Sequence, residues 1–83
     1  ICAGPSVLGG LGILEGRKAT CYPGFEDELK GAEYTRQGVV TDGNVTTARG
    51  LGYALDLGIE LASLLVDRPV ALQVKDSIQY DQV

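Results

Sequence analysis

Cys2 opens the run Cys2-Ala3-Gly4-Pro5, a thiol followed by two small residues and a proline. Proline is favoured in the first turn of a helix, where its missing N–H costs nothing. The spacing therefore predicts a short helix over Ser6–Leu8, ended by Gly9-Gly10, with Cys2 in the turn that enters it. If a strand leads into Ile1, the order strand, cysteine, small residues, helix is that of a nucleophile elbow. Unpaired N–H groups at a helix start favour a thiolate over a thiol. The same groups stabilise a developing oxyanion, and the Ala3 N–H is the first of them. A buried structural cysteine at a strand end is the competing reading of these residues.

Other side chains carry weaker signals. Tyr22 is either a wall residue packed at a strand end or a hydroxyl that orients a substrate oxygen. Arg49 either orients an anion, lies at a dimer contact, or is a paired structural arginine. Cys21 reads as a buried strand residue. Glu26-Asp27-Glu28 reads as the solvated start of a helix rather than a metal site. Gly9-Gly10-Leu11-Gly12 lacks the Gly-Lys-Ser/Thr of a phosphate loop and the dinucleotide Gly-x-Gly-x-x-Gly spacing, so it reads as turn glycine. The chain contains no His, so it offers no Ser-His or Cys-His pair and no His metal ligand. No metal site is expected.

The elements that position these residues are short except for one. Lys18–Tyr22 has β-branched, cysteine and aromatic residues before Pro23-Gly24 and predicts a strand. Phe25–Lys30 predicts one or two helical turns closed by Gly31. Gly38–Thr41 and Asn44–Thr47 flank Asp42-Gly43, a hairpin signal. Leu51–Val66 is the longest periodic segment. Its polar residues Asp56, Glu60, Ser63 and Asp67 form one narrow stripe, which predicts a helix buried on most of its circumference. Pro69–Asp76 predicts a further helix, and no element is assigned to Ser77–Val83.

Eighty-three residues make at most one small domain. Charged side chains give 7 − 11 = −4, with the basic residues scattered, which argues against a nucleic-acid binder. No run of about 20 apolar residues suggests a membrane span. Two cysteines do not make a disulfide framework, so reduced thiols and a cytoplasmic setting are expected. A largely apolar helix with little sheet to cover it predicts a piece of a larger α/β domain. The N-terminal part would then be a separate chain or a lost segment, and the 83 residues would not form a stable monomer alone.

Ile1-Cys2-Ala3-Gly4-Pro5 resembles the Ala-Ile-Cys-Ala/His-Gly-Pro elbow of the ThiJ/PfpI superfamily, the family of the Parkinson-disease protein deglycase. Lys18–Pro23 resembles the strand after that elbow. Asp42–Gly50 is similar to the family's Asp-Gly hairpin, and Leu51–Val66 to its long final core helix. The resemblance spans the chain in order. It implies residues 1–83 as the C-terminal half of a flavodoxin-like α/β three-layer sandwich, starting at the elbow, with a small hairpin and a long buried final helix. The complete domain would be a homo-oligomer, usually a dimer. A glutamate beside the sulfur and part of the oxyanion hole would come from the N-terminal half. The implied activity is a cofactor-free cysteine enzyme acting on reactive aldehydes, of glyoxalase or protein deglycase type, through a Cys2 thiolate. A redox-sensing stress protein or chaperone through Cys2 oxidation is the alternative. Thiazole monophosphate (thiamine) biosynthesis and an intracellular peptidase follow behind. The peptidase is weakened because Tyr22 stands where some members carry a His.

Overall fold

The structure, a computed structural model, describes residues 1–81. Helix α1 (Pro5–Gly10) starts with its proline in the first turn, as the spacing predicts, and extends through both glycines. Strand β1 (Lys18–Ala19) pairs in parallel with β2 (Glu33–Tyr34). Strands β3 (Val39–Asp42) and β4 (Val45–Ala48) form an antiparallel hairpin with Asp42 opposite Val45. Helix α2 (Ala54–Leu65) follows a 3-10 turn over Leu51–Tyr53. Helix α3 (Arg68–Ser77) is capped by the Asp67 side chain, which accepts from the Val70 N–H at 2.8 Å.

Three of the shorter elements differ from their sequence expectation, each for a reason visible in its hydrogen bonds or backbone. The strand predicted over Lys18–Tyr22 keeps only two ladder residues. Beyond Ala19 its amides leave the ladder: Thr20 N–H donates to the Thr47 hydroxyl at 3.0 Å and Tyr22 N–H to the Cys2 carbonyl at 2.8 Å. The segment after Phe25 makes one 3-10 turn, Glu26–Glu28, because Leu29 leaves helical geometry at ψ 67°. The hairpin loop is Gly43-Asn44 rather than Asp42-Gly43. Gly43 takes φ 62°, the left-handed conformation a tight two-residue loop demands at its first position. Asp42 instead stays in the strand and fastens the hairpin to β1: its carboxylate accepts from Lys18 N–H at 2.7 Å and its carbonyl from Arg17 at 3.0 Å.

The core is small. Leu14, Ala19, Cys21 and Leu29 are buried together, with Leu8, Ala32, Tyr34 and Val45 packed around them. Helix α2 lies outside it and has no buried residue, contrary to the expectation of a buried helix. Its polar stripe faces inward. The Thr41 hydroxyl donates to Glu60 at 2.7 Å and the Tyr80 hydroxyl to Asp56 at 2.8 Å. Asp56, Glu60 and Ser63 line a cleft of about 380 Å³ with Val39 of the hairpin and Ala71 of α3. The apolar circumference therefore points away from the other elements, with Leu55, Leu61, Leu64 and Leu65 all exposed. The stripe was readable, but which side of it meets the rest of the chain was not. Among the described residues no helix is long and apolar enough to cross a membrane.

Candidate functional site

Cys2 lies in the turn that enters α1, with φ 61°. This is left-handed backbone, which costs an L residue roughly 1–2 kcal/mol and is ordinarily filled by glycine. Two hydrogen bonds hold it there. Cys2 N–H donates to the Ala48 carbonyl at 3.0 Å, and the Cys2 carbonyl accepts from Tyr22 N–H at 2.8 Å. The elbow is thus clipped between the end of β4 and the stretch following β1. Gly4 N–H closes the turn onto the Ile1 carbonyl at 2.9 Å, and Ser6 fastens its amide and its hydroxyl to the Ala3 carbonyl at 3.0 and 2.6 Å. Pro5 has no N–H. The Ala3 N–H has no hydrogen-bond acceptor among the described residues.

Tyr22 supplies one of the two groups that hold Cys2, and Arg49 follows directly on Ala48, which supplies the other. Tyr22 and Arg49 line a cleft of about 540 Å³ together with Pro23 and the 50–53 turn, including Leu51 and Tyr53. The Tyr22 ring is half exposed and meets Phe25 edge-on at a centroid separation of 6.5 Å. Arg49 stands with its guanidinium carbon 5.8 Å from the centre of the Tyr53 ring and donates to the Arg36 carbonyl at 3.2 Å. The Tyr53 ring itself packs against Gly38, where a Cβ would overlap it. In the sequence Tyr22 and Arg49 stand as separate candidates, and Tyr53, three residues beyond Gly50, carries no local signal of its place beside them.

Cys21 is fully buried, as read from the sequence, but lies two residues beyond β1 rather than in a strand, and both cysteines are free thiols. Burial raises the Cys21 thiol above its ordinary value, and the nearby Glu26 carboxylate adds to the rise. The Glu26 carboxyl is itself held below the usual carboxylate range by backbone N–H groups, including that of Gly24 at 2.6 Å. Among the described residues no group of three or more Cys, Asp or Glu side chains is arranged to hold a metal ion.

This geometry has counterparts of known membership. A profile of the DJ-1/PfpI family matches residues 1–64. An uncharacterized protein of Methanocaldococcus jannaschii is 52% identical over 65 residues, covering 74% of this chain and 32% of its own length. A deglycase of Pyrococcus horikoshii is 45% identical over 51 residues, covering 59% of this chain and 31% of its own. The crystal structure of Drosophila melanogaster DJ-1beta superposes with a TM-score of 0.89 at 30% identity, covering 96% of this chain and 44% of that one. The chain thus spans about a third of the length of these two curated relatives.

Proposed function

The chain belongs to the DJ-1/PfpI family, and from that premise we propose that it carries the nucleophile of a cysteine enzyme acting on reactive aldehydes, with Cys2 as the attacking thiolate. The observation that carries this reading is the left-handed backbone at Cys2. A side chain kept where glycine is cheaper, and clamped from both sides, points to a role the thiol itself fulfils. The relative named a deglycase supports the reaction class.

In the proposed step the Cys2 sulfur donates an electron pair to the aldehyde carbon, and the carbon–sulfur bond forms. The carbonyl π pair moves onto oxygen, where the Ala3 N–H meets the growing charge. A proton from water completes a hemithioacetal. Tyr22 lines the neighbouring cleft and would orient a substrate oxygen through its hydroxyl. The exposed apolar circumference of α2 supports the proposal that further protein of the complete domain packs there, with the complete domain pairing with itself. Two free thiols favour the cytoplasm as the proposed compartment.

The test is Cys2→Ser assayed on methylglyoxal in the intact protein, with circular dichroism to follow the fold. Turnover is expected to fall to background with an unchanged spectrum. Full activity in the folded variant would return Cys2 to a structural or sensing role.

A further inference from the structure

The cleft lined by Tyr22 and Arg49 contains a cation that nothing among the described residues neutralises. Arg49 is half-buried, yet no carboxylate lies within ion-pair distance of it among the described residues. One of its five N–H donors is used on the Arg36 carbonyl, and its guanidinium faces the Tyr53 ring. An aromatic ring fixes the position of a cation without cancelling its charge. The walls around it are Tyr22, Pro23, Leu51 and Tyr53, with no acidic side chain among the lining residues. Asp42 and Asp56, the acidic residues closest to Arg49 along the chain, have carboxylates that accept from the Lys18 N–H and the Tyr80 hydroxyl, and that of Glu26 accepts from the Gly24 N–H. A guanidinium held against aromatic walls and lacking a counter-ion matches a small carboxylate, which it binds through parallel N–H groups.

We propose that Arg49 makes this cleft an anion subsite, so that the preferred substrates carry a carboxylate or similar anion next to the carbonyl that Cys2 attacks. The inference rests on the nucleophile reading above and goes beyond it by assigning a substrate class. The two groups are joined through short covalent and hydrogen-bonded paths. Ala48, whose carbonyl holds Cys2 N–H, immediately precedes Arg49, and Tyr22, whose N–H holds the Cys2 carbonyl, lines the same cleft. An aldehyde with an adjacent carboxylate is thereby drawn to the thiol by a charge that a neutral dicarbonyl does not use.

The test needs no turnover. Iodoacetate and iodoacetamide alkylate a thiolate by the same displacement of iodide, and they differ by one negative charge. The rate of Cys2 modification by each is measured by mass spectrometry in the intact protein, and the ratio is normalised to that of free cysteine. Buried Cys21 serves as the internal control, and modification there is expected to lag far behind Cys2. The wild-type ratio should exceed that of Arg49→Gln by roughly tenfold, one charge-assisted hydrogen bond discounted for partial exposure. Arg49→Lys should recover part of it. In the wild type the iodoacetate rate should fall with added sodium chloride while the iodoacetamide rate does not, a readout that stands even if a variant folds poorly. Rapid iodoacetamide labelling of Cys2 with equal ratios in wild type and Arg49→Gln, and no selective salt effect, would overturn the anion subsite and leave the nucleophile reading intact. Slow reaction of Cys2 with both reagents would overturn the nucleophile reading and this inference with it.

Discussion

Replacing Cys2 by glycine and, separately, by alanine isolates the backbone cost of the elbow. Both variants lose the thiol, so what distinguishes them is the Cβ at φ 61°. Left-handed backbone penalises an L residue by roughly 1–2 kcal/mol. Glycine surrenders part of that advantage, about 0.4–1 kcal/mol, because its unfolded chain is freer. The balance leaves Cys2→Gly more stable than Cys2→Ala by about 1 kcal/mol. This reverses the order found in ordinary helical or extended backbone, where alanine is the better residue. Urea denaturation of the intact variants reads the difference. With a slope of about 1–3 kcal/mol/M, the midpoint of the glycine variant should lie roughly 0.3–1 M higher. Equal midpoints, or a higher one for alanine, would show that the elbow is not strained and would remove the observation on which the nucleophile reading rests.

Two further outcomes concern Cys21 and Tyr22. Burial raises the Cys21 thiol, so the folded chain binds its proton more tightly than the unfolded chain does. That contribution is complete below the ordinary thiol value and is lost as pH climbs from there toward the folded value. Urea titrations in alkaline buffer should therefore show stability falling by up to about 1.4 kcal/mol per pH unit from this group. The loss should be absent in Cys21→Ala; an identical alkaline slope in that variant would refute it. Tyr22→Phe should reduce aldehyde turnover by about tenfold or less, the worth of one orienting hydrogen bond. A loss as deep as that of Cys2→Ser with the fold intact would make Tyr22 a proton-transfer group instead.

Much of the site was legible because its parts are local. The small residues and proline after Cys2 announce the elbow, and the glycine between β-branched runs announces the hairpin. The left-handed backbone at the thiol is not visible in that motif, and its two clamps come from Ala48 and Tyr22, far along the chain. Long-range hydrogen bonds also explain why the strand at Lys18 is short: Thr20 N–H goes to a threonine hydroxyl rather than a ladder carbonyl. Helix α2 shows the limit of periodicity most clearly. A narrow polar stripe normally marks the solvent side, yet here Glu60 and Asp56 take hydrogen bonds from Thr41 and Tyr80 on the inner side. Periodicity gives the angular width of each face and says nothing about which face has hydroxyl donors waiting opposite it. The pairing of Arg49 with Tyr53 arises from the 3-10 turn over Leu51–Tyr53, a geometry that the long helical pattern concealed.

In the proposed reaction the Cys2 sulfur bonds covalently to an aldehyde carbon. Carbon-13 NMR of the intact protein with carbonyl-labelled methylglyoxal tests it most directly. A new resonance of a tetrahedral carbon bonded to sulfur and oxygen is expected in the wild type, present in Cys21→Ala and absent in Cys2→Ala. A resonance that survives in Cys2→Ala, or one that disappears only in Cys21→Ala, would contradict it.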